Sequence, residues 1–232
     1  MTDSRHLGIT IPDCLAPDFD ASWDLVQAKL GTVNTSSKLF SMAWHGVGWR
    51  TLTAEQYADR YCAIPRYGSA SHEGNFREDQ ALVDFLFNAC SAIDCLVFAA
   101  YSLATAINPS SFPLTTAAQL LVSRKLVADR FEAAWPMDRL TNCLMIIRDD
   151  AAIRFLFAMR DVVTHRGVLP RTLSVGGTHH GGVTIPSKAK DLPDVWSSDF
   201  NIDCASVKDW RDRLRTIFHH AIPGVLSFAN KL

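Results

Sequence analysis

The sequence predicts a mainly all-α fold, a bundle of four or five long helices with one small β-hairpin appended late in the chain. Three observations carry this reading. Apolar residues recur at helical spacing from about 76 to 166 and again over 207–228. Helix-starting and helix-stopping residues separate those stretches. Strand-like, Gly-interrupted sequence is confined to 171–185. The chain has 232 residues, 48% hydrophobic and 20% charged, which suits one large domain, or one domain with decorations, around a real core. The expected organisation is an extension over 1–75, irregular with short helices and packed on the core, followed by a helical domain over 76–232.

Taken in order, Gly8-Ile-Thr-Ile-Pro12 reads as a short edge strand. Ala21 to Leu30 reads as a short helix with Ser22 as its cap. Thr53 to Cys62 opens like another, with Thr53 as cap and Gln56 at the capping-box position. Gly68 to Gly74 is a loop. The core begins near Phe76, and Leu82, Phe85, Leu86, Ala89, Ile93, Leu96, Val97, Ala100, Leu103, Ala104 and Ile107 mark one long helix. Asn108 to Pro113 ends it. Thr115 or Thr116 caps the next helix, with the stripe Leu120, Leu121, Val127, Phe131 and Trp135, and Pro136 ends it or starts the following one. Met137 to Arg166 is helical by pattern, with Asp149-Asp150 marking a break and a new N-terminus. Arg166-Gly167 and Pro170 form a stop, with Gly167 available for a left-handed cap. Residues 171–185 form the hairpin, 186–203 a loop, and Val207 to Phe228 the last helix, disturbed at Pro223-Gly224.

Composition narrows the function. A net charge of −1 excludes a nucleic-acid binder that works by a strong overall field, so any RNA contact must come from a local patch. Arg148, Arg154, Arg160, Arg166 and Arg171 supply local positive charge. The opening Met1-Thr-Asp-Ser-Arg-His6 lacks the charged-then-apolar pattern of a signal sequence, and no two of the six cysteines form a C-x-x-C pair. The expectation is a cytoplasmic protein with reduced, buried thiols. Phe85 to Ile107 is long and apolar enough to span a bilayer, but it contains Asn88 and Asp94, and a mid-span Asp costs about 2.5–3.5 kcal/mol. It reads as a central helix of a soluble bundle, with no membrane partner. His179-His180 and His219-His220 lack Cys or acids at zinc-like spacing, so no metal and no cofactor is expected. Gly176-Gly177 and Gly181-Gly182 precede no Lys-Ser/Thr and no helix, so they read as hairpin turn and not as a phosphate loop. Trp44, Trp49, Trp196 and Trp210 read as packing residues of the flanks, with base stacking as the alternative.

The stretch that carries chemistry is Phe155-Leu-Phe-Ala-Met-Arg-Asp-Val-Val-Thr-His165-Arg-Gly167. An apolar helix closes with a cation, a carboxylate and an imidazole, and Asp161 and His165 are i,i+4 neighbours. Arg160-Asp161-Val-Val-Thr-His165 resembles the signature of the HEPN superfamily of all-α ribonucleases and nucleotide-binding proteins. That signature is Arg, four to six residues and His near the end of a helix, with a polar residue after the Arg. The resemblance covers about 76–167. Arg66 to His72, Arg213 to His219 and Arg215 to His220 fit the loose spacing too, but without a polar successor, an apolar preceding helix and a Gly stop together.

The resemblance implies a metal-independent endoribonuclease acting as a homodimer, with two motifs facing one cleft. The ribose 2′-OH attacks the adjacent phosphorus and leaves 2′,3′-cyclic phosphate and 5′-OH ends. It implies His165 as general base or acid, Arg160 as the group that binds phosphate and stabilises transition-state charge, and Asp161 as the residue that orients either one. Arg166, Asp94 and Asn88 are candidates for supporting or substrate-binding roles, and Asp94 is expected to be a buried acid with an arginine partner. The implied setting is stress response or defence, with RNA as substrate and an antitoxin or regulatory protein as a candidate partner. In some HEPN toxins a Tyr two positions after the motif His is modified by a partner. Gly167 stands there in this chain, which argues against that route. The alternatives are a catalytically inactive HEPN-fold module that binds nucleotide or protein, and a structural helical protein in which the motif is accidental.

Overall fold

The computed structural model describes residues 1–64, 72–166, 171–172, 182–183 and 202–232, with backbone only at 72, 75, 165, 166, 171, 172, 182 and 183. The fold is mainly all-α. Two strands, β1 (Thr2–Ser4) and β2 (Ile9–Ile11), pair antiparallel with Asp3 opposite Thr10. The chain reverses between them through Gly8, whose φ of 65° suits glycine. The strand expected over 8–12 is therefore half of an N-terminal hairpin.

Helix α1 (Asp18–Leu30) follows. Asp18 and Asp20 sit at its positive N-terminal end and Lys29 in its last turn. It starts three residues before the expected Ala21, and Ser22 is not its cap. Ser22 is buried and its hydroxyl donates to the Asp18 carbonyl one turn back. Helix α2 (Thr35–Ala63) is far longer than the piece expected from Thr53. Its cap is Asn34, whose side-chain oxygen accepts from Ser36 N at 2.8 Å and Ser37 N at 3.3 Å. Gly46 and Gly48 weaken the helical signal in sequence, yet they serve close packing. A Cβ on Gly46 would lie 2.5 Å from Cys95 Sγ.

Helix α3 (His72–Ile107) carries the predicted stripe, and from Leu82 to Ala104 every member of it is buried. On α3 burial starts at Ala81, since Phe76 is exposed. This helix is long and apolar enough to cross a membrane, and 61% of its apolar window is buried inside the protein, as in a core helix. Asn108 to Pro113 ends it as expected. Thr115 caps a single short helix, α4 (Thr116–Leu120), and Ser123 caps a separate α5 (Arg124–Ala134). The single stripe expected there is thereby broken. Val127 and Phe131 are buried, whereas Leu120 and Leu121 are exposed.

Asp138 caps α6 (Arg139–Asp149), and Asp150 separates it from α7 (Ala151–Arg166), so the predicted break stands where the two carboxylates are. Strands β3 (Arg171–Thr172) and β4 (Gly182–Val183) pair antiparallel, which places the short hairpin after α7. The Gly167 cap, the 173–181 turn, the loop over most of 186–203, and Trp196 lie outside the described residues. Helix α8 (Cys204–Ala229) runs on through Pro223 instead of breaking there. The bond that proline forgoes would reach the carbonyl of His219, at an exposed position.

The chain divides into two compact units, residues 1–52, 91–150 and 214–232, and residues 53–90 and 151–213. In the first, Trp44 stacks between Phe19 and Phe40 and donates its Nε1 hydrogen to the Phe19 carbonyl at 3.0 Å. A second aromatic group joins Tyr101, Phe112, Phe131, Trp135 and Phe228. Trp44 is thus core rather than flank, and only Trp49 of the described three is substantially exposed. Also in this unit, Trp23 lies between the rings of His6 and His45, and His6 Nε2 is 2.9 Å from Asp24.

In the second unit, Phe155 packs on Trp210 and the Tyr61 hydroxyl donates to the Ile202 carbonyl at 2.7 Å. Arg211 pairs with Asp59 at 2.8 Å. Cys62 and Cys204 are joined by a disulfide with Cα atoms 5.0 Å apart. That corrects the expectation of six reduced cysteines. The reading from spacing failed because the two residues are 142 positions apart and no local pattern signals the pair. Cys14, Cys90, Cys95 and Cys143 are free thiols.

Candidate functional site

Arg160, Asp161 and His165 fall on the last turns of one continuous helix, α7. The helix is held by its apolar face. Ile153, Leu156, Met159 and Val162 are buried at helical spacing, while Arg154 and Asp161 on another face are exposed. Position 165 is one turn beyond Asp161. Asp161 therefore lies on the exposed side of the helix end, while half-buried Arg160 falls beside Ile153 and Leu156 on the anchored side.

The Arg160 guanidinium is bound to its chain neighbour. Its Nε and a terminal nitrogen donate to Asp161 Oδ1 at 3.1 and 3.0 Å. The same guanidinium lies over the Phe157 ring, 4.8 Å from its centroid, which fits the i,i+3 spacing of the two residues. Arg160 is 26% exposed and Asp161 58%, so water reaches both. A pair with one half-buried and one exposed partner is weak, on the order of 0.2–1 kcal/mol. Thr164, one turn on, donates its hydroxyl to the Arg160 carbonyl at 2.7 Å.

The supporting candidates separate. Arg166 is the final residue of α7. Asn88 is buried on α3, and its side-chain NH2 donates to the Asp84 carbonyl at 2.7 Å. That is an intrahelical bond of a structural kind. Asp94 is not the buried acid expected. It is exposed and belongs to the first unit, whereas α7 belongs to the second. The reason is visible along α3. Phe87 and Asp94 are exposed and Ser91 and Phe98 half-buried at three- and four-residue spacing, so one stripe of a nearly all-apolar helix meets water. Of the competing motifs, His219 and His220 sit exposed on α8, and Arg66 lies outside the described residues. Among the described residues no group of three or more His, Cys, Asp or Glu is placed to hold a metal ion.

Two features escaped the sequence reading. One is the Cys62–Cys204 bond. The other is the His6–Trp23–His45 stack, in which burial and the nearby His6 push the His45 imidazole below its ordinary value of 6.5. Its Nε2 is buried with no hydrogen-bond partner among the described residues. Residues 6, 23 and 45 have no pattern linking them, and only the packing of the N-terminal hairpin against α1 and α2 brings them together.

Compared with protein-family models, with curated proteins and with solved structures, the chain matches none of them.

Proposed function

We propose that this protein is a HEPN-like, metal-independent endoribonuclease, cytoplasmic and working as a homodimer in stress response or defence. The observation that supports it most is the placing of Arg160, Asp161 and position 165 on the terminal turns of α7, with the acid exposed and the arginine half-buried. In this reading a scissile phosphate displaces Asp161 from part of the Arg160 guanidinium. Arg160 then carries the charge that builds on the non-bridging oxygens as the 2′-OH attacks phosphorus. His165 takes or returns a proton. Asp161 keeps Arg160 over the Phe157 ring before substrate arrives and steadies the imidazole one turn on. A second copy of the motif across a two-fold axis supplies the other proton-transfer group.

A second reading has its own support. The arginine is already satisfied by Asp161, as it would be in a helical module that binds nucleotide or protein without cleaving. End-labelled RNA incubated in EDTA with wild type, Arg160→Ala and His165→Ala separates the two. Cleavage to 2′,3′-cyclic phosphate ends by wild type alone is the expected result. RNA bound by all three proteins and cut by none favours the binding module. Equal cleavage by all three places the activity elsewhere.

A further inference from the structure

We propose that the Cys62–Cys204 bond is a reversible redox latch on the joint between the end of α2 and the start of α8, worked by thiol–disulfide exchange with small-molecule thiols. Three features support it. Both cysteines are half-buried and not sealed in the core, so a thiolate can reach one sulfur. Next, the joint has its own non-covalent contacts: Tyr61 to the Ile202 carbonyl, Arg211 to Asp59, and an α8 start capped by Asp203, which accepts from Ser206 N at 2.8 Å. These survive reduction, so the open form stays folded and can close again. Finally, three of the four other thiols are poor competitors. Burial pushes Cys95 and Cys143 above their ordinary value, and Cys90 is buried outright, which suppresses reshuffling.

The exchange balances as follows. A dithiol attacks one sulfur, the other leaves as a thiolate, and the mixed disulfide resolves as the second thiol of the reductant attacks. Two electrons and two protons pass to the protein, giving Cys62 and Cys204 thiols and an oxidised reductant. Glutathione disulfide reverses it. In a reducing compartment the latch is open at rest and closes on oxidative stress. The loop it closes contains α3 to α7, and α7 belongs to the same unit as the bond.

The test uses the full chain, oxidised with glutathione disulfide or reduced under native conditions with dithiothreitol, then alkylated, peptide-mapped and melted. Cys62 and Cys204 are expected to become alkylated together and to re-close together. Reduction is expected to lower Tm by about 10 °C through loop-closure entropy. Cys62→Ser and Cys204→Ser are expected to melt at the reduced value whatever the redox state. If either variant fails to fold, the wild-type pair of melts carries the test. The proposal is overturned if the two cysteines are alkylated in oxidised protein, if the bond resists dithiothreitol until the protein unfolds, or if Tm does not move on reduction.

Discussion

The chain contains the dipeptide Arg-Asp at 148, 160 and 211, and the structure puts the first two, on consecutive helices in sequence, to different uses. Arg148-Asp149 closes α6. Arg148 donates to Asp149, and also to Asp129 at 2.8 Å and Glu132 at 3.1 Å on α5. Its guanidinium is thereby held above even its usual high pKa, first by Asp149 and then by the two α5 acids. Arg160-Asp161 stands near the end of α7. The contacts described for Arg160 are to Asp161 and Phe157 of that same helix. One arginine braces two helices. The other bonds the acid beside it in the chain and lies over an aromatic ring of its own helix. A local motif cannot foresee the bracing by Arg148, because it depends on the acids that α5 brings.

The largest expected effect is on catalysis. Arg160→Ala should lower RNA cleavage ~10²–10³-fold, as loss of a charge-stabilising donor does elsewhere, while a thermal melt stays within experimental scatter of wild type. Asp161→Asn should act in the same direction but more mildly, about tenfold, since one charge-assisted contact is weakened and the cation remains. A rise in affinity for a non-cleavable RNA would show the acid competing with phosphate.

Arg148→Ala should leave cleavage unchanged and cost about 1 kcal/mol, or ~3 °C in Tm, because its partners are solvent-exposed. A larger loss of rate than of stability would break the contrast.

The smallest effect separates stability from chemistry along pH. His45 is neutral when folded at values where the unfolded chain takes up a proton, because its folded pKa is depressed. Its contribution is therefore complete above 6.5 and is lost as pH falls from there through the folded value. Burial is the larger cause of that depression, and His6, which pairs with Asp24 and stacks on Trp23, adds to it. His45→Phe, which keeps a ring against Trp23, should flatten the fall of Tm between neutral and mildly acid pH and leave the pH profile of cleavage where it was.

The parts of the fold legible in sequence were those where one strong signal decides. The α3 stripe is apolar at 3.6-residue spacing and was readable almost residue by residue, and Asp149-Asp150 marked a helix boundary because carboxylates favour that end. Asn34 is not legible as the α2 cap because Gly46 and Gly48 weaken the signal of the helix it opens. Leu120 and Leu121 looked like core, but the caps at Thr115 and Ser123 divide the helix and leave them outside. Asp94 looked buried because its neighbours are apolar, yet a single helix in a mixed core keeps a wet stripe. At the candidate site, sequence showed Arg160, Asp161 and His165 sharing a helix end. It could not show that Arg160 rests on Phe157 and is held by Asp161, since adjacent residues do not ordinarily face each other and the contact depends on how a long side chain folds back.

The most direct measurement is a side-by-side assay of Arg148→Ala and Arg160→Ala for both RNA cleavage in EDTA and thermal melting. The account predicts a crossed result: Arg160→Ala inactive with a wild-type melt, and Arg148→Ala active with a lowered melt. If both variants cleave like wild type, or if Arg160→Ala loses activity only in step with its stability, the Arg160 corner has no chemical role and the assignment fails.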